Sequence, residues 1–431
     1  MHASTDRRQT ARILLASLVG TSVEFYDFYI YATATSLVFG PLFFPASSPS
    51  AQLLSSYASF GLAFLARPLG GVLFGHFGDR IGRKSTLVAS LLLMGGSTAA
   101  IAFLPTYAMV GWVAPTLLCM LRFGQGLGLG GEWSGAALLA VENAPPGWRA
   151  RYGMMPQLGA PIGFIAANGF FLLLGSVLSA DQFRDWGWRV PFLASALLVA
   201  LGLWVRLKLT ETAAFTAALR DDEPVRVPVK QVLKEHLGST VAGTLGVVAC
   251  FALYYIATAF ALGYGTTKLG YARQPFLEAQ LGAILFMAAG IVAAGWLSDK
   301  TSQRRVLLAG CVATAIAGAL LPALLGSGSM TGVFAFMAIA LLAMGFVYGP
   351  LGAWLPSLFP ARVRYTGTSL AFNLGGVVGG GLTPALAQVM AERGGLRPVG
   401  LYLAGAAVLS AIGLLAAGRS QPTAVSAPIE L

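Results

Sequence analysis

The segment "GHFGDRIGRK", residues 75–84, decides the predicted fold, because a related segment returns later in the chain. "GWLSDKTSQRR" occupies residues 295–305, which begins 220 positions later in a chain of 431 residues. A second pair of similar segments is "RARYG" at 149–153 and "RVRYTG" at 362–367. A repeat with a period of about half the chain indicates two related halves.

Composition places these halves in a membrane. Hydrophobic residues make up 56% of the chain and charged residues 10%, and the mean hydropathy is +0.73. A polytopic membrane protein needs that much apolar surface, whereas a soluble domain does not. Lipid offers the backbone no hydrogen-bond partner, so each long apolar run is predicted to be a helix. We place twelve runs near residues 13–38, 52–76, 85–104, 110–141, 151–175, 188–209, 237–263, 277–298, 305–325, 331–356, 365–390 and 399–418.

The repeat also predicts the domain organisation. We expect an all-α polytopic membrane protein with a six-helix N-terminal half at 1–209 and a six-helix C-terminal half at 237–431. Residues 210–236, which contain the charged stretch "RDDEPVRVP", are predicted to be a cytoplasmic linker. Two parallel six-helix halves with a site between them near the membrane midplane are a transporter architecture.

The chain has a net charge of +11, and its positive residues are distributed unevenly between the two predicted sides of the membrane. Lys and Arg concentrate before the first run and in the loops after even-numbered runs, as with Arg80, Arg149 and Arg305. This bias follows the positive-inside rule and predicts that both termini are cytoplasmic. Few aromatic residues interleave with the basic ones, so we expect no nucleic-acid partner.

No pattern in the chain predicts an enzyme. Cys119, Cys250 and Cys311 lie in predicted helices without metal-ligand spacing. The sequence contains no Walker loop, nucleophile elbow or His/Cys metal cluster. We therefore predict a protein that is not an enzyme and that needs no cofactor.

Several motifs resemble a known family. The loop Gly-x-x-x-Asp-Arg-x-Gly-Arg-Lys resembles the signature of the major facilitator superfamily. Other stretches resemble its metabolite:proton symporter branch, which includes carriers of osmoprotectants, 2-oxoglutarate, citrate and shikimate. The resemblance implies the major facilitator fold in a bacterial inner membrane. The stretches are "VEFYDFYIY" (23–31), "FLARPLGGVLFGHFGDRIGRK" (64–84), "RFGQGLGLGGEWSGAALLAVENAP" (122–145) and "WGWRVPF" (186–192).

Two carboxylates in the first run are candidates for proton coupling. Glu24 and Asp27 are three residues apart, on one helix face. At 1.5 Å per residue they lie about 18 and 22 Å from Arg12, near the bilayer middle. A carboxylate there costs roughly 2.5–3.5 kcal/mol, and burial favours its neutral form, so proton uptake becomes accessible. The alternative is a structural role, in which one or both pair permanently with an arginine.

Arg122 is the predicted partner of these acids because it lies at a similar predicted depth in the membrane. Gln125 and Glu132 fall within about 80° of it on the helical wheel. We expect Arg122 to exchange partners as Glu24, Asp27 or Glu132 is protonated; a permanent buried ion pair is the alternative. The resemblance supports coupling, since similar arginines in the superfamily are linked to it.

Arginine also suits a carboxylate substrate, because its guanidinium binds both oxygens. Arg122 and Arg67 are the candidates. For Arg67 the alternative is a side chain that extends toward the cytoplasmic side and pairs there. The C-terminal half has almost no predicted buried charge, so we expect it to recognise shape through aromatic and polar groups. The other predicted substrate-binding residues are Tyr31, Gln125, Gln157, Tyr254, Tyr255, Tyr348, Trp354 and Asn373.

The repeated loops are predicted to be gates. We expect Arg83 to pair with Glu142. Gln303 replaces a basic residue in the second copy, and Ser357 stands where relatives commonly have an acid. We therefore expect the loop of the first half to contribute more to keeping the cytoplasmic side closed. The predicted gating residues are Gly75, Asp79, Arg80, Arg83, Lys84, Glu142, Asp299, Lys300 and Arg304.

Taken together, these features predict proton-coupled symport of a small organic acid into the cell by alternating access. The substrate is a monocarboxylate, a dicarboxylate or a cyclic hydroxy acid. We expect a monomer in the lipid bilayer that is driven by the proton gradient. The alternatives are uptake of a zwitterionic osmoprotectant, a drug:proton antiporter and, from another class, a channel or a transceptor.

Overall fold

The computed structural model describes residues 2–45, 49–207 and 227–417, with side chains from residue 13 onward except those at 49, 50, 83 and 206. All regular secondary structure in these ranges is helical. In the part of the chain that the structure describes, twelve helices are long enough to cross a membrane. They are α1 Ile13–Phe43, α2 Ala51–Arg80, α3 Lys84–Ile101, α4 Val113–Glu142, α5 Arg149–Val177, α6 Arg189–Leu207, α7 Leu237–Thr267, α8 Arg273–Lys300, α9 Gln303–Leu325, α10 Met330–Trp354, α11 Ala361–Gly394 and α12 Leu396–Ala417.

These helices match the twelve predicted runs one to one. Ten of them have the length and apolar composition of a membrane span, and α6 joins them when counted with the bent segment Ala180–Gly187 before it. Helix α4 has 30 residues, but its glycines and its internal charged residues Arg122 and Glu132 make it less apolar. The prediction of an all-α protein with twelve spans is confirmed.

π-helical turns interrupt helices at related positions in the two halves. One lies in α1 at Thr35–Phe39 and another in α7 at Ile256–Phe260. They begin 221 positions apart, nearly the period of the sequence repeat. A third π-helical turn lies in α11 at Val377–Gly381. Such turns often mark functional sites in otherwise regular helices.

Glycines allow α2 and α4 to pack very closely. A Cβ added to Gly70 would overlap the backbone of Leu127, and one added to Gly130 would overlap the Arg67 carbonyl oxygen. Small residues at such contacts let two backbones approach within a membrane, where dispersion attraction between helices drives their association. The stretch "GQGLGLGG" is thus a packing surface for α2.

The first half, α1–α6, meets the second half, α7–α12, through inserted side chains as well as close backbones. Tyr365 of α11 is fully buried and donates a 2.6 Å hydrogen bond to the carbonyl oxygen of Gly131 in α4. Its ring occupies space that a Cβ would fill at Gly78 in α2, and its hydroxyl lies where a Cβ would be at Gly135 in α4. A side chain of the second half therefore fills a slot built by glycines of the first.

The predicted linker is described only in part, since its residues 210–226 lie outside the described ranges. The remainder contains the helix Pro228–Glu235, which contacts α2, α7 and α11 and buries Val232. The predicted boundaries of the two halves stay predictions.

We expect Gly130→Ala to lower the thermal unfolding midpoint of the purified protein, because its Cβ would push α2 away from α4. Overpacking of this kind costs about 1–3 kcal/mol. The control is Gly96→Ala, since the Cβ position at Gly96 in α3 has no neighbour within 4 Å; removing that helical glycine should leave the midpoint unchanged or raise it. Equal midpoints for both variants would contradict the proposed packing.

Candidate functional site

A central cavity with about 430 Å³ of empty space lies between the two halves. The first half contributes residues of α1, α2, α4 and α5, and the second half residues of α7, α8, α10 and α11. Two charged side chains line it, Glu24 and Arg67. Most of the remaining wall is aromatic and consists of Phe25, Phe28, Tyr29, Phe251, Tyr254, Tyr255, Tyr348 and Phe372.

Arg67 presents a buried cation to this cavity. Its side chain is 5% exposed, and its Nε donates a 3.0 Å hydrogen bond to Oδ1 of Asn373. Asn373, in α11, donates in turn to the carbonyl oxygen of Gly130 at 2.6 Å. Arg67 forms no ion pair with any acid that the structure describes. Its guanidinium instead lies 5.3–5.7 Å from four ring centroids, those of Phe28, Phe64, Phe251 and Phe372.

The two carboxylates of α1 lie in different environments. Glu24 lines the central cavity, whereas Asp27 is 0% exposed and accepts a 2.5 Å hydrogen bond from Oγ of Ser195 in α6. Residues three apart on an α-helix differ by about 60° in direction. That angle points Glu24 toward the second half and Asp27 into the first, so the two acids do not face one common partner.

Arg122 lies inside the first half, outside the cavity wall. It is fully buried, and Nη1 donates to Oε1 of Gln125 at 2.9 Å. Nε2 of Gln125 donates to the hydroxyl of Thr98 at 2.7 Å, and Thr98 lies beside Asp27. The guanidinium is 4.0–4.9 Å from three ring centroids, those of Phe28, Tyr31 and Phe60.

The predicted ion pair of Arg122 with Glu24, Asp27 or Glu132 is absent. A chain of neutral groups, Gln125 and Thr98, stands between Arg122 and Asp27 instead. Glu132 is ten residues further along α4, about 15 Å away at 1.5 Å per residue. It accepts a 2.9 Å hydrogen bond from Ser90 of α3, so it is not part of the Arg122 environment.

The sequence did not point to Trp133, which joins the halves beneath the cavity. Its ring stacks on Phe372 of α11 with centroids 3.7 Å apart and planes 2° from parallel. Its Nε1 donates to Gln157 at 2.8 Å and to the hydroxyl of Tyr348 at 3.2 Å. Nε2 of Gln157 donates to the Tyr348 carbonyl oxygen at 3.1 Å. Helices α4 and α5 are thereby bonded to α10 and α11.

The other predicted substrate-binding residues divide into two groups. Tyr254, Tyr255 and Tyr348 line the cavity. Tyr31 instead contacts Arg122, and its hydroxyl is hydrogen-bonded to Ser59 at 2.9 Å. Trp354 is buried against α7, where its ring lies over Gly246, so it does not reach the cavity.

Two aspartates join the halves at the end of the molecule that carries the repeated loops, which we call the basic face. Asp79 of α2 accepts hydrogen bonds from the backbone N and the hydroxyl of Thr366, in the first turns of α11, at 3.1 and 2.7 Å. Asp299 of α8 accepts from the backbone N of Ala150 and of Arg151, at the start of α5, at 2.9 and 3.1 Å. Each half thus caps a helix N-terminus of the other, where a negative charge is favourable.

The second copy of the loop combines its cap with an ion pair to the first half. Asp299 also pairs with Nε of Arg151 at 3.1 Å, and Glu142 forms a 3.6 Å ion pair with Arg364 of the second half. The expected partner of Glu142, Arg83, lies outside the described side chains. The loss of sequence similarity at Gln303 and Ser357 does not weaken the cap, because Asp299 itself is retained and α5 supplies the donors.

Four of the remaining predicted gating residues contact their own half. Arg80 is hydrogen-bonded to His76 at 3.1 Å, and Lys84 donates to the Leu207 carbonyl oxygen at 2.8 Å. Lys300 lies 3.7 Å from the centroid of Trp296, and Arg304 donates to the Leu415 carbonyl oxygen at 3.3 Å. Gly75 allows close approach of α11, because its Cβ would meet Thr366.

The halves also touch at the opposite end. The hydroxyl of Tyr57 in α2 donates to the Ala259 carbonyl oxygen in α7 at 2.9 Å. Gln274 of α8 donates to the Leu172 carbonyl oxygen in α5 at 3.3 Å. With contacts on both sides of it, the central cavity is occluded. Within the described ranges, no group of His, Cys, Asp and Glu side chains could hold a metal ion.

Comparison with known proteins agrees with this architecture. Residues 17–384 match the family model of the Major Facilitator Superfamily. The xylose transporter XylE, a proton:xylose symporter, has a similar solved structure, with a TM-score of 0.73, 16% sequence identity and coverage of 97% of both chains.

Among curated proteins, the Inner membrane metabolite transport protein YhjE of Escherichia coli K12 is 48% identical, covering 94% of this chain and 93% of its own. The shikimate transporter of the same organism is 38% identical and covers 95% of each chain. A proline/betaine transporter of Salmonella typhimurium is 30% identical over 90% of this chain and 79% of its own length.

We expect both Asp79→Asn and Asp299→Asn to open the basic face, since each removes the charge that caps a helix of the other half. Native Cys250 lines the cavity and reports opening through its rate of maleimide labelling, in a Cys119→Ser, Cys311→Ala background. The rate should rise for both variants, because each removes a charge that joins the two halves.

The control for these variants is Asp181→Asn, which removes an exposed ion pair with Arg184 within the first half. Exposed pairs are worth about 0–1 kcal/mol, so Cys250 labelling should not change. A larger rate increase for Asp79→Asn than for Asp299→Asn would restore the asymmetry predicted from the sequence.

Proposed function

The chain belongs to the Major Facilitator Superfamily, a family of multi-pass membrane transporters, and from this premise we propose that it takes up a small organic acid together with protons. The observation that carries the proposal is Arg67, a cation without an acidic partner among the described residues, at the wall of an occluded cavity between the two halves. An anion is the ligand that such a site lacks.

A carboxylate suits Arg67 on geometric grounds. Its Nε is engaged by Asn373, which fixes the orientation of the guanidinium and leaves its terminal nitrogens for the ligand. A planar guanidinium binds a carboxylate through two parallel hydrogen bonds. The surrounding rings accommodate an apolar ring or chain behind the carboxylate. Binding would therefore draw on both halves and favour the occluded state.

Asp27 is the better candidate for the proton site. It is buried inside the first half, where a charged carboxylate without a counter-ion is costly. Gln125 and Thr98 connect its surroundings to Arg122, so protonation of Asp27 would alter the field around that buried cation. Glu24, which lines the cavity, is instead placed to contact substrate. We propose that proton and substrate act on neighbouring but separate sites.

Transport would proceed by alternating access. The basic face is proposed to be cytoplasmic, with both termini on that side, in a bacterial inner membrane. Inward opening would break the caps at Asp79 and Asp299, and outward opening would break the Tyr57 contact. The protein is proposed to work as a monomer, with the proton gradient as its energy source and no cofactor.

A second candidate substrate is a zwitterionic osmoprotectant. Glu24 favours it, because this carboxylate lines the same cavity as Arg67 and several aromatic rings stand near both. An aromatic wall attracts quaternary ammonium groups. The proline/betaine transporter of Salmonella typhimurium is a relative with such a substrate in its name. A drug:proton antiporter has no comparable observation in its favour.

Uptake into proteoliposomes tests the proposed function. Carboxylates, betaines and aromatic acids are first screened by thermal shift on the purified protein, and the compounds that stabilise it are tested for transport. We expect saturable uptake of a carboxylate that increases when the outside is made acidic. Uptake of betaines alone would favour the second candidate, and flux without saturation or counterflow would indicate a channel.

Arg67→Lys should weaken binding of the transported carboxylate at least tenfold, or about 1.4 kcal/mol, because lysine keeps the charge but loses the two-point geometry. Arg122→Lys is the matched comparison, since Arg122 lies outside the cavity wall and its replacement should change affinity much less. Titration calorimetry measures both. Unchanged affinity in the Arg67 variant would exclude direct recognition of the carboxylate by this residue.

Asp27→Asn should abolish accumulation driven by a pH gradient while sparing counterflow exchange, because a neutral amide cannot carry the proton but the substrate site remains. Glu24→Gln should instead raise the substrate concentration needed for half-maximal counterflow. Both are measured in proteoliposomes with and without an imposed gradient. If the Asp27 variant accumulates substrate as the unmodified protein does, the proton site lies elsewhere.

A further inference from the structure

A second, smaller cavity adjoins the central one on the side away from the basic face. Residues of α1, α5, α7 and α8 line it, and it shares two wall residues, Tyr29 of α1 and Tyr254 of α7, with the central cavity. Their rings are stacked, with centroids 5.3 Å apart and planes at 25°. One ring from each half therefore forms the boundary between the two spaces.

The wall of the second cavity is polar but neutral. Gln280 of α8 is 1% exposed, and its Nε2 donates to the Thr258 carbonyl oxygen at 3.0 Å. Its Oε1 accepts no hydrogen bond from the part of the chain that the structure describes. Thr33 and Ser36 of α1 add hydroxyl groups to the wall. None of the described side chains that line this cavity is charged.

Tyr254 adds a second polar group that lacks a well-formed contact. Its hydroxyl is buried and makes no hydrogen bond of standard geometry within the described residues, although the Tyr29 side chain is its neighbour. Buried polar groups in proteins are nearly always hydrogen-bonded, so the Gln280 oxygen indicates an occupant of this cavity, and Tyr254 belongs to the same wall. The Gln280 carbonyl oxygen needs a hydrogen-bond donor, and the Tyr254 hydroxyl can donate or accept.

We propose that the second cavity is a subsite for the hydroxyl-bearing end of the substrate, while Arg67 holds the carboxylate in the central cavity. This inference rests on the proposed function and narrows it to a hydroxylated monocarboxylic acid. A hydroxyl group both donates to Gln280 Oε1 and accepts from the tyrosine. The free space beside these groups is about that of one water molecule, so it fits a hydroxyl group rather than a whole ligand.

The neutral wall decides between the remaining substrate classes. A second carboxylate placed there would be buried without a cation, and an ammonium group would be buried without an anion; both are costly. A hydroxyl group can be fully satisfied by the amide and hydroxyl groups present.

The ligand end would enter the second cavity when the rings of Tyr29 and Tyr254 separate. Because each ring belongs to a different half, this step is tied to movement of the halves.

The test compares carboxylates that differ only in their hydroxyl groups. The probes are shikimate with cyclohex-1-ene-1-carboxylate, and glycerate with propionate. Their affinities are measured by competition in counterflow for the full-length protein and for Gln280→Leu, Ser36→Ala and Arg67→Lys. The control is Gln388→Leu, since Gln388 is equally buried but lies in α11 and lines neither cavity.

We expect the unmodified protein to bind at least one hydroxylated acid tenfold or more tightly than its hydroxyl-free analogue. A site built to hydrogen-bond a hydroxyl rejects an analogue without it, because its own polar groups stay unpaired. Gln280→Leu should bring that ratio close to one by weakening only the hydroxylated acid, and Ser36→Ala, a smaller change, should reduce it in part. Arg67→Lys should weaken both acids alike, and Gln388→Leu neither.

Equal affinities in the unmodified protein, or equal weakening of both acids by Gln280→Leu, would overturn the subsite and mean that water alone occupies the second cavity. The proposed uptake of organic acids would stand in that case. If no carboxylate competes but a betaine does, the organic-acid proposal itself falls, and the hydroxyl subsite falls with it.

Discussion

Buried guanidinium groups impose the constraint on which much of this structure depends. Arg67 and Arg122 lie at membrane depth, and neither forms an ion pair with an acid among the described residues. A cation removed from water needs other partners, and here aromatic faces and neutral amides provide them. Phe28 lies near both guanidiniums, at 5.7 Å from Arg67 and 4.6 Å from Arg122. The aromatic wall of the cavity is therefore also the environment that makes these charges tolerable.

The same requirement links the site to helix packing. Arg67 is carried by α2, and the glycines of α4 allow α2 to approach so closely that the Arg67 carbonyl oxygen occupies the place of a Cβ at Gly130. Asn373 of α11 then bonds both to the Arg67 side chain and to the Gly130 carbonyl oxygen. A change in how the halves meet must alter the surroundings of the cation, so closure of the cavity and the environment of Arg67 are physically coupled.

The two halves are held together by reciprocal contacts. Asp79 caps α11 and Asp299 caps α5, and each cap reaches across the interface. Contacts of this kind can separate in a concerted movement, because the aspartates and the helix ends can each be solvated by water when exposed. A transporter needs its states to lie within a few kcal/mol of one another. Short-range caps and aromatic stacking, such as Trp133 on Phe372, fulfil that need better than an extensive interdigitated core.

The sequence by itself determined the twelve helices, the two related halves and the charged residues within them. Run length, the repeat and a charge in an apolar run are local properties, and they can be read without knowing which helices touch. The sequence thus pointed to Glu24, Asp27, Arg67 and Arg122, and to Asp79 and Asp299 in the repeated loops, before any contact was known.

Only the tertiary structure decided which of these groups share an environment. A turn of 60° on α1 separates Asp27 from the cavity that Glu24 lines, and two neutral side chains stand where an ion pair of Arg122 was expected. Trp133 carried no signal, because an aromatic residue in an apolar helix resembles any packing residue until its neighbours are known. Partners drawn from helices hundreds of positions apart depend on packing, which the local pattern of a single helix does not encode.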